Sequence, residues 1–134
     1  MRLFLDANIL FSAAKSDGAI RELLRRLRSA GHECIADSFV VAEARRNLLS
    51  KGPGAVLDFE ALLAGMTIAP AAPRDGFPEE TAWLPEKDRP VLAAAIRLGC
   101  DGLITGDRRH FGAAYGKSWG GVRIYSPRDV AMTL

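Results

Sequence analysis

Apolar and polar positions fall into short blocks along the chain, in which short apolar runs alternate with stretches of helical spacing. MRLFLD, HECIAD, MTIAP, GLIT and VRIY are short apolar runs bounded by turn residues, the pattern of buried strands. Between them the spacing is helical. Ile20, Leu23, Leu24 and Leu27 make the stripe of a helix predicted from about Asp17, a capping residue, through Arg28, with Gly31 as its stop. Ser38 is placed to cap a helix over FVVAEARRNLLSK, and Pro53 to open another through VLDFEALLAG. The segment from Pro70 to Lys87 holds four of the seven prolines and predicts a loop with a short helical turn near Glu79 to Trp83. Pro90 then opens the helix VLAAAIRLG, Gly99 closes it, and Ser126 with Pro127 behind it caps a last helix. Strands separated by helical runs predict an α/β fold with a mostly parallel sheet covered on both faces. A length of 134 residues predicts one domain spanning 1–134.

Composition narrows the class. The chain is 49% hydrophobic and 25% charged, as a globular protein is, and no apolar stretch approaches the roughly 20 residues that span a bilayer. The first strand opens at Met1 without an export pattern, so a cytoplasmic protein with no membrane partner is expected. Cys34 and Cys100 fit that compartment as buried thiols.

Four carboxylates change the picture. Asp6, Glu43, Asp88 and Asp107 each stand where an apolar run hands over to a turn or a helix, in FLDAN, VVAEARRNL, EKDRPVLAAA and LITGD. In a parallel sheet, ligands bind beyond the carboxyl ends of the strands, and all four acids can reach one such rim. Acids gathered without a cation repel one another by roughly 4 kcal/mol per pair at about 4 Å and an effective dielectric of 20. With oxygen donors and no His or Cys at ligand spacing beside them, the expected ion is magnesium or manganese. Such an ion activates water and offsets charge on a phosphodiester, which points to a nuclease.

Net charge is only +2, yet once the four acids are neutralised the remainder carries 18 basic against 12 acidic residues. Basic residues gather at Arg25, Arg26 and Arg28, at Arg45 and Arg46, and at Arg108 and Arg109, which suits a polyanionic partner such as RNA. For Arg25 to Arg28 a solvated helix face is the simpler reading. Arg89, Arg108 and Arg109 flank the acids and, with His110, are the candidate RNA contacts. Trp83 and Trp119 could stack on bases, although packing is the commoner role of a lone aromatic.

LDAN, the helical Glu of VAEARRNL, KDRPVLAAAI and LITGDRRHF resemble the acidic motifs of PIN-domain ribonucleases, and among these the VapC-like toxins of toxin–antitoxin pairs. The resemblance spans nearly the whole chain. It implies a three-layer α/β/α sandwich around a five-stranded parallel sheet in order 3-2-1-4-5. It also implies a metal-dependent endoribonuclease, with Asp6, Glu43, Asp88 and Asp107 as catalytic and metal-holding acids and Asn8 and Thr105 as supporting polar groups. A homodimer and a cognate antitoxin are further implied partners. Many relatives carry another acid shortly after the fourth, where this chain reads Asp107-Arg108-Arg109-His110-Phe111, so the number of ions stays open.

Three other classes compete. An aspartate-nucleophile phosphatase would want a second acid where Asn8 stands, and a receiver domain would want a phosphoacceptor where the chain has Ala69 and Pro70. A catalytically silent RNA-binding or interaction module is opposed only by the intact quartet. Each acid also has a modest reading, Asp6 as a turn residue and Asp88 as a helix-terminal charge. Glu43, inside a helix, has no such reading.

Overall fold

The computed structural model describes residues 1–73 and 76–134. The loop expected over 70–87 is there, with a 3-10 turn at Glu79–Thr81 and another at Glu86–Asp88, while its residues 74 and 75 lie outside the described residues.

Each apolar run identified as a strand forms one. They are β1 (Arg2–Leu5), β2 (Glu33–Asp37), β3 (Thr67–Ala69), β4 (Gly102–Ile104) and, for VRIY, β6 (Val122–Tyr125), with the short β5 (Ser118–Trp119) before it. The sheet order is β3-β2-β1-β4-β6-β5. Its five longer-range strands are parallel in the expected order, with Phe4 level with Ile35 on one side and with Leu103 on the other. The sheet has six strands rather than five, because Trp119 pairs antiparallel with Val122 at the edge. Gly120 (φ 57) and Gly121 (φ 80) make this hairpin possible, since a two-residue turn matching strand twist needs positive φ at both positions.

Leu3, Phe4 and Leu5 are all fully buried. Successive strand residues point to opposite faces, so both faces of the central strand are covered, as the unbroken apolar runs predict. The helices are α1 (Ala7–Lys15), α2 (Ala19–Ser29), α3 (Ser38–Lys51), α4 (Val56–Ala64), α5 (Arg89–Arg97), α6 (Arg108–Phe111) and α7 (Pro127–Met132). α1 packs on α2, α3 and α4, and α5 packs on β4 and β6.

Local reading departs from the structure at the starts of α1, α2 and α3, and it leaves out the single turn of α6. α1, which the sequence pattern does not predict, follows β1 without an intervening turn; its buried face is Ala7, Ile9, Leu10, Ala13 and Ala14. The cap of α2 is Gly18, not Asp17, whose carboxylate instead meets Arg25 in an exposed pair. The cap of α3 is Asp37, which accepts from Val40 N; Ser38 is already helical, and its Oγ accepts from Ala71 N. Pro127 and the Ser126 cap of α7 stand as expected. Both cysteines are buried and free, and burial raises each thiol pKa to about 11.

Gly102 is the tightest point of the sheet interior. A Cβ there would come within 2.7 Å of the Tyr125 ring and 2.9 Å of Leu3 Cδ2. Gly102→Ala is expected to lower stability by about 1–3 kcal/mol, the usual cost of overpacking. Urea unfolding measures it, and an unshifted midpoint would mean that the ring moves aside freely.

Candidate active site

Four elements deliver the four acids to one cleft. Asp6 follows β1 and caps α1, Glu43 lies in the second turn of α3, Asp88 ends the 3-10 turn before α5, and Asp107 caps α6. They line a cavity of about 210 Å³ together with Asn8, Phe11, Asn47, Lys51 and Lys87. Asp107 stands three residues beyond the end of β4 instead of closing the strand, because Thr105 and Gly106 make the turn into α6.

Asp6 is the most deeply set, at 6% exposure. Its Oδ1 accepts from Ala7 N (2.8 Å), and its Oδ2 accepts from Thr105 Oγ1 (2.8 Å) and Asn8 Nδ2 (3.2 Å). Burial pushes its pKa from 3.8 to about 6, against the opposing pull of the Thr105 and Ala7 hydrogen bonds; Glu43 and Asp88 add to the rise by repulsion. Thr105, fully buried, also accepts from Asp107 N (3.1 Å) through its hydroxyl, so one oxygen links two of the acids. Asn8 ties the start of α1 to the β4–α6 turn by accepting from Gly106 N (2.8 Å).

Asp88 is held differently. It makes no capping hydrogen bond to α5, and its Oδ2, shielded from solvent, has no hydrogen-bond partner among the described residues. Burial raises its pKa, with His110 pulling it down and Asp107 pushing it up. The Oδ2 of Asp107 is 2.9 Å from His110 Nδ1, and that same nitrogen lies 3.1 Å from Asp88 Oδ2. An imidazole therefore stands within the acidic cluster, where all-oxygen donors were expected.

The residues present fit a divalent cation. A shielded carboxylate oxygen with no hydrogen-bond partner among the described residues, and an Asp6 pKa that Glu43 and Asp88 raise further by repulsion, are the state expected of a site whose positive charge comes from outside. Asp6, Glu43, Asp88 and Asp107 face the cavity such an ion would enter.

The basic residues differ in what engages them. Arg2, Arg21, Arg25 and Arg45 are taken up in ion pairs with Glu33, Asp58, Asp17 and Glu22, and Glu60. Lys51 and Lys87 on the cleft and the exposed Arg108 and Arg109 have no ion pair among the described residues. Arg89 is committed elsewhere, donating to the carbonyls of Leu84 (3.0 Å) and Ala82 (3.3 Å). Asn47 and Lys51 were not singled out from sequence, although they follow Glu43 at four-residue steps and so share its helix face. Trp83 and Trp119 stack on each other at 4.4 Å, with Phe111 edge-on to Trp83 at 6.0 Å.

No protein-family model matches this chain, and no curated protein matches it by sequence. Its architecture matches solved structures. VapBC2 from Rickettsia felis, bound to a DNA fragment from their promoter, aligns with a TM-score of 0.67 at 15% identity over 94% of this chain and 98% of that one. VapC20 of Mycobacterium tuberculosis, a sarcin–ricin-loop-cleaving toxin, aligns at 0.62 and 12% identity over 87% and 98%. FitAB bound to the IR36 DNA fragment aligns at 0.58 and 18% over 93% and 94%. The fold is thus the VapC-like PIN fold, and the acidic cleft opens beside its two central strands.

Asp6 makes the metal-free protein sensitive to pH. Its folded-state pKa of about 6 lies above the unfolded 3.8, so the cost of burying its charge is complete above pH 6 and is relieved as pH falls through that value. The chelated protein is expected to gain stability between about pH 7.5 and 5, with roughly 1 kcal/mol of the gain due to Asp6. Urea unfolding of wild type and Asp6→Asn isolates that share as the difference between their pH slopes. Parallel slopes would mean that Asp6 carries no buried charge.

Proposed function

We propose that this protein is a magnesium- or manganese-dependent endoribonuclease and the toxin of a toxin–antitoxin pair. One observation carries the reading: four acids from four separate elements meet in one cleft, one of them deeply buried and another with a shielded oxygen that has no hydrogen-bond partner among the described residues. A divalent cation bound there supplies water activation and a counter-charge for phosphodiester hydrolysis. In this reading Asp6, Glu43, Asp88 and Asp107 hold the ion, and Thr105 and Asn8 keep the Asp6 carboxylate in one orientation. Lys51, Lys87, Arg108 and Arg109, in no ion pair among the described residues, bind the phosphates of the RNA. RNA as the substrate is supported by the VapC fold, one example of which cleaves the sarcin–ricin loop.

The partner proposed is a small antitoxin, a reading supported by the likeness to the VapBC2 and FitAB structures. In this proposal the antitoxin fills the acidic cleft of this chain with a basic side chain and silences the enzyme. A homodimer and a cytoplasmic location belong to the same reading. No helix of the described residues is long and apolar enough to cross a membrane.

Cleavage of an RNA panel with magnesium, manganese or chelator tests the activity. Asp6→Asn, Glu43→Gln, Asp88→Asn and Asp107→Asn should each lower the rate roughly 100-fold or more, beyond the usual effect of removing a supporting group. Cleavage that survives chelation and all four changes would overturn the reading, and metal-independent RNA binding without cleavage would make the protein a silent module.

Substrate grip is read separately. Replacing Arg108 and Arg109 by alanine should reduce the slope of log affinity against log salt by roughly 1.4, about 0.7 for each single-strand phosphate no longer neutralised. An unchanged slope would assign both arginines to other work.

A further inference from the structure

The imidazole of His110 is the feature of the cleft that an all-carboxylate metal site does not need. It hangs from the single turn of α6, which brings residue 110 back over its own cap, so that Asp107 Oδ1 accepts from His110 N (3.2 Å) while Oδ2 faces the ring. The ring nitrogen Nδ1 then stands 2.9 Å from Asp107 Oδ2 and 3.1 Å from Asp88 Oδ2. Hydrogen bonding alone does not satisfy this trio. Nδ1 carries at most one hydrogen, the Asp107 contact takes it, and Asp88 Oδ2 remains shielded and without a hydrogen-bond partner. One ion satisfies all three atoms. Ligand atoms about 2.1 Å from a common cation and at right angles lie about 3 Å apart, which is the spacing observed on both sides of Nδ1. One donor atom from each of Asp88, Asp107 and His110 lies within 4.8 Å of the others.

We propose that His110 Nδ1 is a metal ligand, and that with Asp88 and Asp107 it makes a mixed nitrogen–oxygen site selecting manganese over magnesium. The chemistry is that of donor softness: magnesium keeps to oxygen ligands and near-ideal octahedra, whereas imidazole favours first-row transition ions. The backbone hydrogen bond from His110 N to Asp107 fixes the α6 turn, and so aims the ring before any ion arrives. The inference rests on the cleft holding a divalent cation but not on its cutting RNA.

The test uses manganese and magnesium chloride with the chelator-stripped protein and His110→Gln, whose amide keeps a hydrogen-bond donor toward Asp107. Calorimetry should show manganese bound more tightly than magnesium by the wild type. In His110→Gln the manganese Kd should rise roughly tenfold or more while the magnesium Kd changes much less. Pulsed electron paramagnetic resonance of the manganese-loaded wild type should show coupling to an imidazole nitrogen that the variant lacks. Circular dichroism melts in chelator establish that the variant folds; if it does not, the nitrogen coupling in the wild type decides alone. Absence of that coupling, or an equal loss of both ions in His110→Gln, would overturn the assignment of His110 and leave a carboxylate metal site standing. Binding of neither ion by the wild type would overturn the metal reading itself.

Discussion

The carboxylate of Asp6 has nowhere to move. Its own N–H donates to Ile104 O across the sheet (3.0 Å), and α1 begins at the next residue, so the backbone is clamped between the central strands and a buried helix. The side chain is therefore fixed where β1, sealed on both faces, runs out into the protein. Charge at such a point is costly unless it is hydrogen-bonded and paired. Ala7, Thr105 and Asn8 supply the hydrogen bonds, and still the pKa stands at about 6. No ion pair among the described residues offsets its charge. The polar groups of the β4–α6 turn are arranged around that deficit: Thr105 is shared between Asp6 and Asp107, and Asn8 bridges Asp6 to Gly106.

Asp37 shows what the same local motif does when its task is structural. It too ends a parallel strand, is buried, and caps a helix through Val40 N. Burial raises its pKa as well, but the charge that reaches it comes from Arg97 and is favourable. The charges that reach Asp6 come from Glu43 and Asp88 and are unfavourable. Capping accounts for Asp37 and leaves the surroundings of Asp6 unexplained. The distinction lies in the tertiary environment, since each position, read alone, is an acid following an apolar run.

That contrast also marks what the chain discloses before it is folded. The parallel strands were legible because burial on both faces demands unbroken apolar runs with turn residues at their ends. α1 was not, because it follows β1 at once and its apolar positions extend the same run, with Asp6 as the sole boundary. β5 was hidden by its two-residue length, although Trp119-Gly120-Gly121-Val122 carries a hairpin signal. In the cleft, the meeting of the four acids was legible because charge at the end of an apolar run conflicts with burial. His110 was legible only as a candidate RNA contact, because its place among the acids depends on a single turn of α6 returning residue i+3 to the cap. The commitment of Arg89 to two loop carbonyls is likewise a tertiary fact, invisible in the basic character that made it a candidate contact.

The edge hairpin finds its reason in Asp88. That residue has no cap bond of its own, so its position is imposed by the loop leading into it. Arg89 gathers the loop by donating to Ala82 and Leu84, and Trp83, in the same stretch, donates from Nε1 to Glu80 O. The ring of Trp83 then lies against Trp119 of β5 and meets Phe111 at the end of α6. The aromatic cluster thus joins the loop carrying Asp88 to the helix carrying His110 and to the sheet edge. Two tryptophans offer large contact area with few rotatable bonds, which suits them to holding one element against another at low entropic cost. The two indoles stack on each other, while Trp83 keeps 38% of its surface exposed. The sixth strand thus presents Trp119 to Trp83, in the loop that leads to Asp88.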